Sequence, residues 1–143
     1  MNINRRKARE LALQVLYACE SGNDEAFDQV LGAFGEGAAG NELIAGYAKK
    51  LVKKVLDSKE KIDAQLSKHT ANWDLKRMTV IDRNILRMAV GELLYFKETP
   101  FKVVIDEAVE IAKIYGTEES WKFVNGVVDS IHKEMTAINK SGE

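Results

Sequence analysis

Apolar residues recur at helical spacing along almost the whole chain, and this pattern constrains the fold more than any other feature. From Asn4 onward the spacing i, i+3, i+4, i+7 builds one apolar stripe, formed by Ala8, Leu11, Ala12, Val15, Leu16 and Cys19. The 143 residues include one proline, so little interrupts such helices. The pattern predicts an all-α protein without strands.

The apolar stripes, together with the residues that cap or break helices between them, divide the chain into six predicted helices. The first begins with Asn4 as N-cap and ends at 21–23, a short one covers about 24–34, and a long one runs from about Glu42 to Lys68. Leu43 and Tyr47 are expected to face inward on the long helix. The fourth helix begins at Thr79 and should be the most buried. Gly116 closes the fifth, and Thr117 caps the sixth. We expect one domain over 1–138, built of two packed bundles of about three helices each (about 1–70 and 71–138), with a flexible tail over 139–143.

The most unusual local feature is a run of cations at the start of the first helix. These residues are expected to cover most of the exposed arc of its first turns: Arg5, Arg6, Lys7 and Arg9. Positive charge at a helix amino terminus opposes the helix dipole, so the cluster indicates an anionic ligand. Gln14 and Tyr17 flank the apolar stripe behind it, and tyrosine offers a flat surface for an unpaired base. The pattern predicts binding to RNA or DNA. There are two alternatives: the cations only make this end of the chain soluble, or they pair with the acidic segment 24–28.

A second candidate surface lies in the segment SWKFVNGVV, where Gly126 interrupts a helical pattern at a cost of about 1 kcal/mol relative to alanine. Lys122, Phe123 and Asn125 lie beside or away from the apolar stripe of this helix. One interpretation makes Phe123 a core residue and Gly126 a helix contact. The other makes the segment a platform of aromatic and cationic groups for a ligand.

Catalytic and metal-binding motifs are not evident in the sequence. His69 and His132 have no metal-ligand spacing, and both are expected at the surface or at helix caps. Cys19 is expected to be a small buried apolar residue. No secretory signal or apolar run long enough to span a bilayer is present, so we expect a cytoplasmic protein that is not an enzyme and needs no cofactor or metal.

Four segments together resemble the NusB family of bacterial transcription antitermination factors: RRKARELALQVLY, DRNILRMAVGELLY, PFKVVIDEAVEIAKIYG and SWKFVNGVVDSI. The resemblance covers nearly the whole chain, and 32–40, which is rich in glycine, is its least similar part. It implies an all-helical fold and no enzymatic activity. It also implies binding to single-stranded boxA RNA of ribosomal RNA leaders together with NusE, a small-subunit ribosomal protein. NusA, NusG and RNA polymerase complete the implied complex.

Site residues follow from this resemblance by position. It implies RNA contacts from the residues of both candidate surfaces and from one acidic neighbour, namely Arg5, Arg6, Lys7, Arg9, Gln14, Tyr17, Glu119, Lys122, Phe123 and Asn125. Asp82 is expected on the side that faces NusE. Two other classes stay open, an RNA-binding module related to ribosomal RNA methyltransferases and a helical scaffold that binds proteins. A homodimer is also left open.

Overall fold

The computed structural model describes residues 2–20, 22, 41–70 and 78–141, which form six α-helices and no strand. This confirms the predicted all-α class. The helices are α1 (Asn2–Glu20), α2 (Asn41–Asp57), α3 (Lys59–His69), α4 (Val80–Tyr95), α5 (Phe101–Tyr115) and α6 (Ser120–Ser141). The short helix predicted over 24–34 and the glycine-rich segment 32–40 lie outside the described residues. α6 continues through Ser141, beyond the predicted start of the tail.

The chain divides into two compact units, Met1–Asp57 and Ser58–Glu143. The prediction of one long helix from Glu42 to Lys68 is wrong, because α2 ends at Asp57 and α3 begins at Lys59. Ser58, between them, has φ −113° and ψ 19°, outside helical geometry. The apolar side chains on either side of this break are buried in different units, so the division falls after Asp57 and not near residue 70.

In the first unit α1 packs against α2. The apolar stripe predicted for α1 is buried as far as Leu16, and Cys19 is half-buried. The helix begins at Asn2, so Asn4 lies within it and is not its N-cap. Gly22 has φ +89°, a left-handed conformation that favours glycine, and its N–H donates to the Cys19 carbonyl at 3.1 Å.

In the second unit α4 is the central helix, as predicted, and packs against α3, α5 and α6. Every residue from Asn84 to Leu93 is buried. The Thr79 hydroxyl accepts from the Asp82 backbone N–H at 3.1 Å, which confirms Thr79 as N-cap. Asp82 Oδ1 is buried and has no hydrogen-bond partner in the part of the chain that the structure describes, so this oxygen does not complete a capping box.

The turn between α5 and α6 fixes the start of α6. Gly116 has an extended backbone, and a Cβ there would lie 2.5 Å from Ser120 Oγ and 2.8 Å from the Ala112 carbonyl oxygen. Close approach, and not a left-handed backbone, is therefore what requires glycine. Thr117, predicted as N-cap, lies three residues before the helix, where its N–H donates to Ser120 Oγ at 2.9 Å.

Both histidines link helices of the second unit, so the prediction of surface or capping histidines is wrong. His69 on α3 lies between two groups of α6, with Nδ1 2.6 Å from Ser130 Oγ and Nε2 2.7 Å from Glu134 Oε2. The second contact is an ion pair when the ring is protonated, but its geometry is not that of a hydrogen bond. His132 stacks on Phe101 of α5 with ring centroids 3.6 Å apart.

Candidate nucleic-acid interface

The cations of α1 divide between its exposed side and its packed side. Arg5 and Lys7 are exposed, Arg6 is half-buried, and Arg9 is only 3% exposed. Arg9 was expected on the exposed arc, and that expectation is wrong. Position 9 lies about 20° around the helix from Leu16, so the edge of the buried stripe includes it. Arg5 and Lys7 therefore present the charge that a polyanion can reach.

Tyr47 of α2 lies beneath the arginines. The Arg5 guanidinium carbon is 4.5 Å from the centroid of the Tyr47 ring, and that of Arg9 is 5.8 Å away. Such contacts hold a guanidinium over an aromatic face. Sequence reasoning placed Tyr47 in the core, but its side chain is half-buried. Gln14 and Tyr17 are exposed on later turns of α1, Tyr17 by 47%.

In the second unit a cavity of about 430 Å³ lies between the start of α4 and the start of α6. It brings Phe123 together with Asp82, Glu119 and Lys122, which had been assigned to two different sides. The ring of Phe123 is half-buried, so it is neither a fully buried core residue nor a fully exposed platform. The full lining consists of Met78, Thr79, Asp82, Thr117, Glu119, Ser120, Lys122 and Phe123.

The charged groups at the mouth of this cavity are solvated. Lys122 Nζ lies 4.0 Å from Glu119 Oε1, and the side chains are 60% and 81% exposed. Trp121, which sequence reasoning did not single out, lies between two lysines, with Lys113 Nζ 5.2 Å and Lys122 Nζ 5.8 Å from its ring. Asn125 is exposed on the next turn. The region combines an aromatic ring, a cation and an amide, the groups that bind phosphates and bases.

Gly126 is exposed, and a Cβ at this position would meet no atom within 4 Å among the described residues, apart from its chain neighbours and the nearby backbone of its own helix. The interpretation of Gly126 as a contact with another helix is therefore wrong. The open space beside it leaves room for a ligand backbone.

The described residues contain neither a metal-binding cluster nor a membrane-spanning helix. Residues 2–20, 41–70 and 78–141 hold no group of three or more His, Cys, Asp or Glu side chains arranged for a metal ion. None of the described helices is long and apolar enough to cross a membrane.

Comparison with known proteins identifies the family. The model of the NusB family matches residues 6–133. Transcription antitermination protein NusB of Chloroherpeton thalassium is 40% identical over 145 residues, covering 99% of this chain and 69% of the relative. That of Thermodesulfovibrio yellowstonii is also 40% identical, covering 99% of each chain.

A NusB structure solved with NusE and double-stranded RNA superposes with a TM-score of 0.81 at 33% identity, covering 94% of this chain and 99% of that one. These relatives are named for antitermination and not for a catalysed reaction. The chain belongs to the NusB family, and both of these relatives are transcription antitermination proteins.

Proposed function

We propose that this protein is an antitermination factor of the cytoplasm that binds boxA RNA of ribosomal RNA leaders together with NusE. The observation that carries the proposal is the exposed pair Arg5 and Lys7 on the first turns of α1, in a chain that matches the NusB family over 6–133. A helix amino terminus disfavours cations unless an anion balances them. A relative of similar fold was solved with NusE and RNA, which supports the same partners for this chain.

The proposed RNA contacts differ in kind. Arg5, Arg6 and Lys7 bind phosphates, and Arg9 orients the aromatic ring beneath them. Gln14 and Tyr17 lie behind these cations on the exposed face of α1 and can contact bases.

On α6, Lys122 binds a phosphate and Asn125 donates to or accepts from a base. Phe123, half-buried in the cavity wall, supplies a stacking surface. Glu119 lowers the affinity by competing for Lys122.

We further propose that NusE binds next to the RNA at the cavity, where Asp82 is its contact. Asp82 Oδ1 has no hydrogen-bond partner among the described residues, and Asp82 lines the same cavity as Phe123. A donor from NusE would satisfy this oxygen, and burial of an unsatisfied carboxylate oxygen is costly. NusA, NusG and RNA polymerase are the further partners of the assembled complex.

Titration of labelled boxA RNA by fluorescence anisotropy, with and without saturating NusE, tests the proposal. We expect weak binding by the protein alone and tighter binding with NusE. Linkage requires RNA to tighten the NusB–NusE pair by the same factor. Equal RNA affinity with and without NusE, or equal affinity for a scrambled strand, would contradict it.

Phe123→Ala serves as the site variant in this titration. Loss of base stacking should weaken RNA binding by about 1 to 3 kcal/mol. Phe101→Ala is the matched control, because Phe101 is also half-buried but stacks on His132 within the protein. It should lower stability and leave the RNA affinity of the folded protein unchanged.

A further inference from the structure

We propose that one face of α2 binds the phosphates of RNA that flanks the proposed boxA site, independently of base sequence. The face consists of Leu43, Tyr47, Lys50 and Lys54, and we call it the α2 stripe. The inference rests on the proposed RNA-binding function and extends it to a surface on a second helix of the first unit.

The members of the α2 stripe are spaced i, i+4, i+7 and i+11, so they form one row along the helix. Lys50 and Lys54 are exposed, and Leu43 is 73% exposed although sequence reasoning placed it in the core. The two lysines are one turn, or about 6 Å, apart along the axis. A row of this kind presents two cations and two flat or apolar groups to one extended ligand.

The α2 stripe is continuous with the cationic start of α1. The Arg5 guanidinium lies 4.5 Å from the Tyr47 ring, and Tyr47 is followed at i+3 and i+7 by the two lysines. A strand whose phosphates contact Arg5 would therefore reach Lys50 and Lys54 by passing over Tyr47. The Tyr47 ring, over which both Arg5 and Arg9 lie, thus places the Arg5 cation beside the row of lysines.

The two described helices of this unit carry an excess of cations, although the unit Met1–Asp57 as a whole does not, because 21–40 adds four acidic residues. Together α1 and α2 carry Arg or Lys at eight positions and Asp or Glu at four, whereas the whole chain has a net charge of −1. Exposed lysines give affinity for phosphate without reading bases. The continuity of these lysines with Arg5, a proposed phosphate contact, favours RNA over an acidic protein as the ligand.

The same helix provides a matched control. Lys49 and Lys53 are also exposed, but they lie about 160° and 120° around the helix from Tyr47. Lys50 and Lys54 lie within about 60° of it. General attraction between exposed lysines and RNA would involve both pairs equally, whereas a strand bound along the α2 stripe involves only Lys50 and Lys54.

The test compares K50Q/K54Q with K49Q/K53Q in the full chain. The probe is labelled boxA RNA extended by six uridines at each end, and the readout is the dependence of log Kd on log salt concentration. Each phosphate contact on a single strand contributes about 0.7 to this slope, so we expect K50Q/K54Q to reduce it by about 1.4. K49Q/K53Q should leave it unchanged, and K50R/K54R should retain it. Thermal midpoints show whether each variant is folded.

The remaining outcomes separate the two proposals. A wild-type protein that does not bind the extended RNA would overturn both the proposed function and the α2 stripe. Wild-type binding with equal slopes for the two glutamine pairs would overturn the α2 stripe alone. Loss of NusE binding in K50Q/K54Q, with an unchanged RNA slope, would identify the face as a protein contact and overturn it as well.

Discussion

Arg87 on α4 and Asp63 on α3 are joined by two parallel hydrogen bonds, from Nε to Oδ1 at 2.8 Å and from Nη2 to Oδ2 at 3.0 Å. The arginine side chain is 7% exposed and the aspartate 24%. This geometry matches the planar fork of a guanidinium to a carboxylate. The pair fixes the packing of α3 on the central helix, within the unit that holds the cavity.

We therefore expect Asp63→Ala to lower the free energy of unfolding by about 3 kcal/mol, because it leaves a buried guanidinium without its carboxylate. Lys133→Ala is the control, since it breaks an ion pair with Asp129 at 3.0 Å in which the lysine side chain is 77% exposed. That change should cost less than about 1 kcal/mol. Urea denaturation measures both, and equal losses would show that the buried pair contributes no more than a surface one.

Replacement of Arg9 should mainly lower stability, whereas replacement of Arg5, one turn away, should mainly weaken RNA binding. Arg9→Ala removes a side chain that is 3% exposed and packs near Tyr47, so we expect a loss of about 1 to 3 kcal/mol in unfolding free energy. Arg5→Ala should cost less than about 1 kcal/mol, the usual value of an exposed cation–π contact. It should instead reduce the salt slope of RNA binding by about 0.7. Chemical denaturation and salt titration of both variants test this prediction. A larger loss of stability in Arg5→Ala, or a larger loss of salt slope in Arg9→Ala, would contradict the assignment of Arg9 to packing and Arg5 to RNA binding.

The sequence was sufficient for the helical class and for the identity of the central helix, because a run such as Asn84–Leu93 is apolar on nearly every side. It was not sufficient for the break at Ser58. The apolar spacing of Val55, Ile62 and Leu66 continues across this residue, although Val55 belongs to one unit and Ile62 and Leu66 belong to the other. The burial of Arg9 also could not be predicted from apolar spacing, since it depends on which residue of α2 packs against this position. Leu43 is the opposite error: apolar spacing predicted that it faces inward, but its side chain is exposed.

Glu119 should weaken RNA binding through its effect on Lys122. Its carboxylate lies 4.0 Å from the Lys122 ammonium and repels phosphate. We expect Glu119→Gln to tighten RNA binding a few-fold at low salt, with a difference that shrinks at high salt because of screening. The change in unfolding free energy should stay below about 0.5 kcal/mol.

The control for this prediction is Glu118→Gln, which removes the same charge from the adjacent exposed residue. Anisotropy titrations at several salt concentrations compare the two variants. An equal gain in both would indicate a general effect of net charge, and the specific role of Glu119 would then be wrong.

Gly126 offers a prediction in which folding and binding respond in opposite directions. It lies within α6, is exposed, and has open space where a Cβ would stand. Gly126→Ala should raise the free energy of unfolding by up to about 1 kcal/mol, because alanine loses less backbone entropy in a helix. If RNA passes close to this backbone, as we propose for the neighbouring Phe123 and Asn125, the added methyl group should weaken RNA binding.

Gly46→Ala on α2 is the matched control, since Gly46 is also exposed, helical and surrounded by open space. It should give the same gain in stability without the loss at the α6 surface. Thermal denaturation and boxA titration of both variants test this, and a Gly126→Ala protein with unchanged RNA affinity would show that the space beside Gly126 is not used by the ligand.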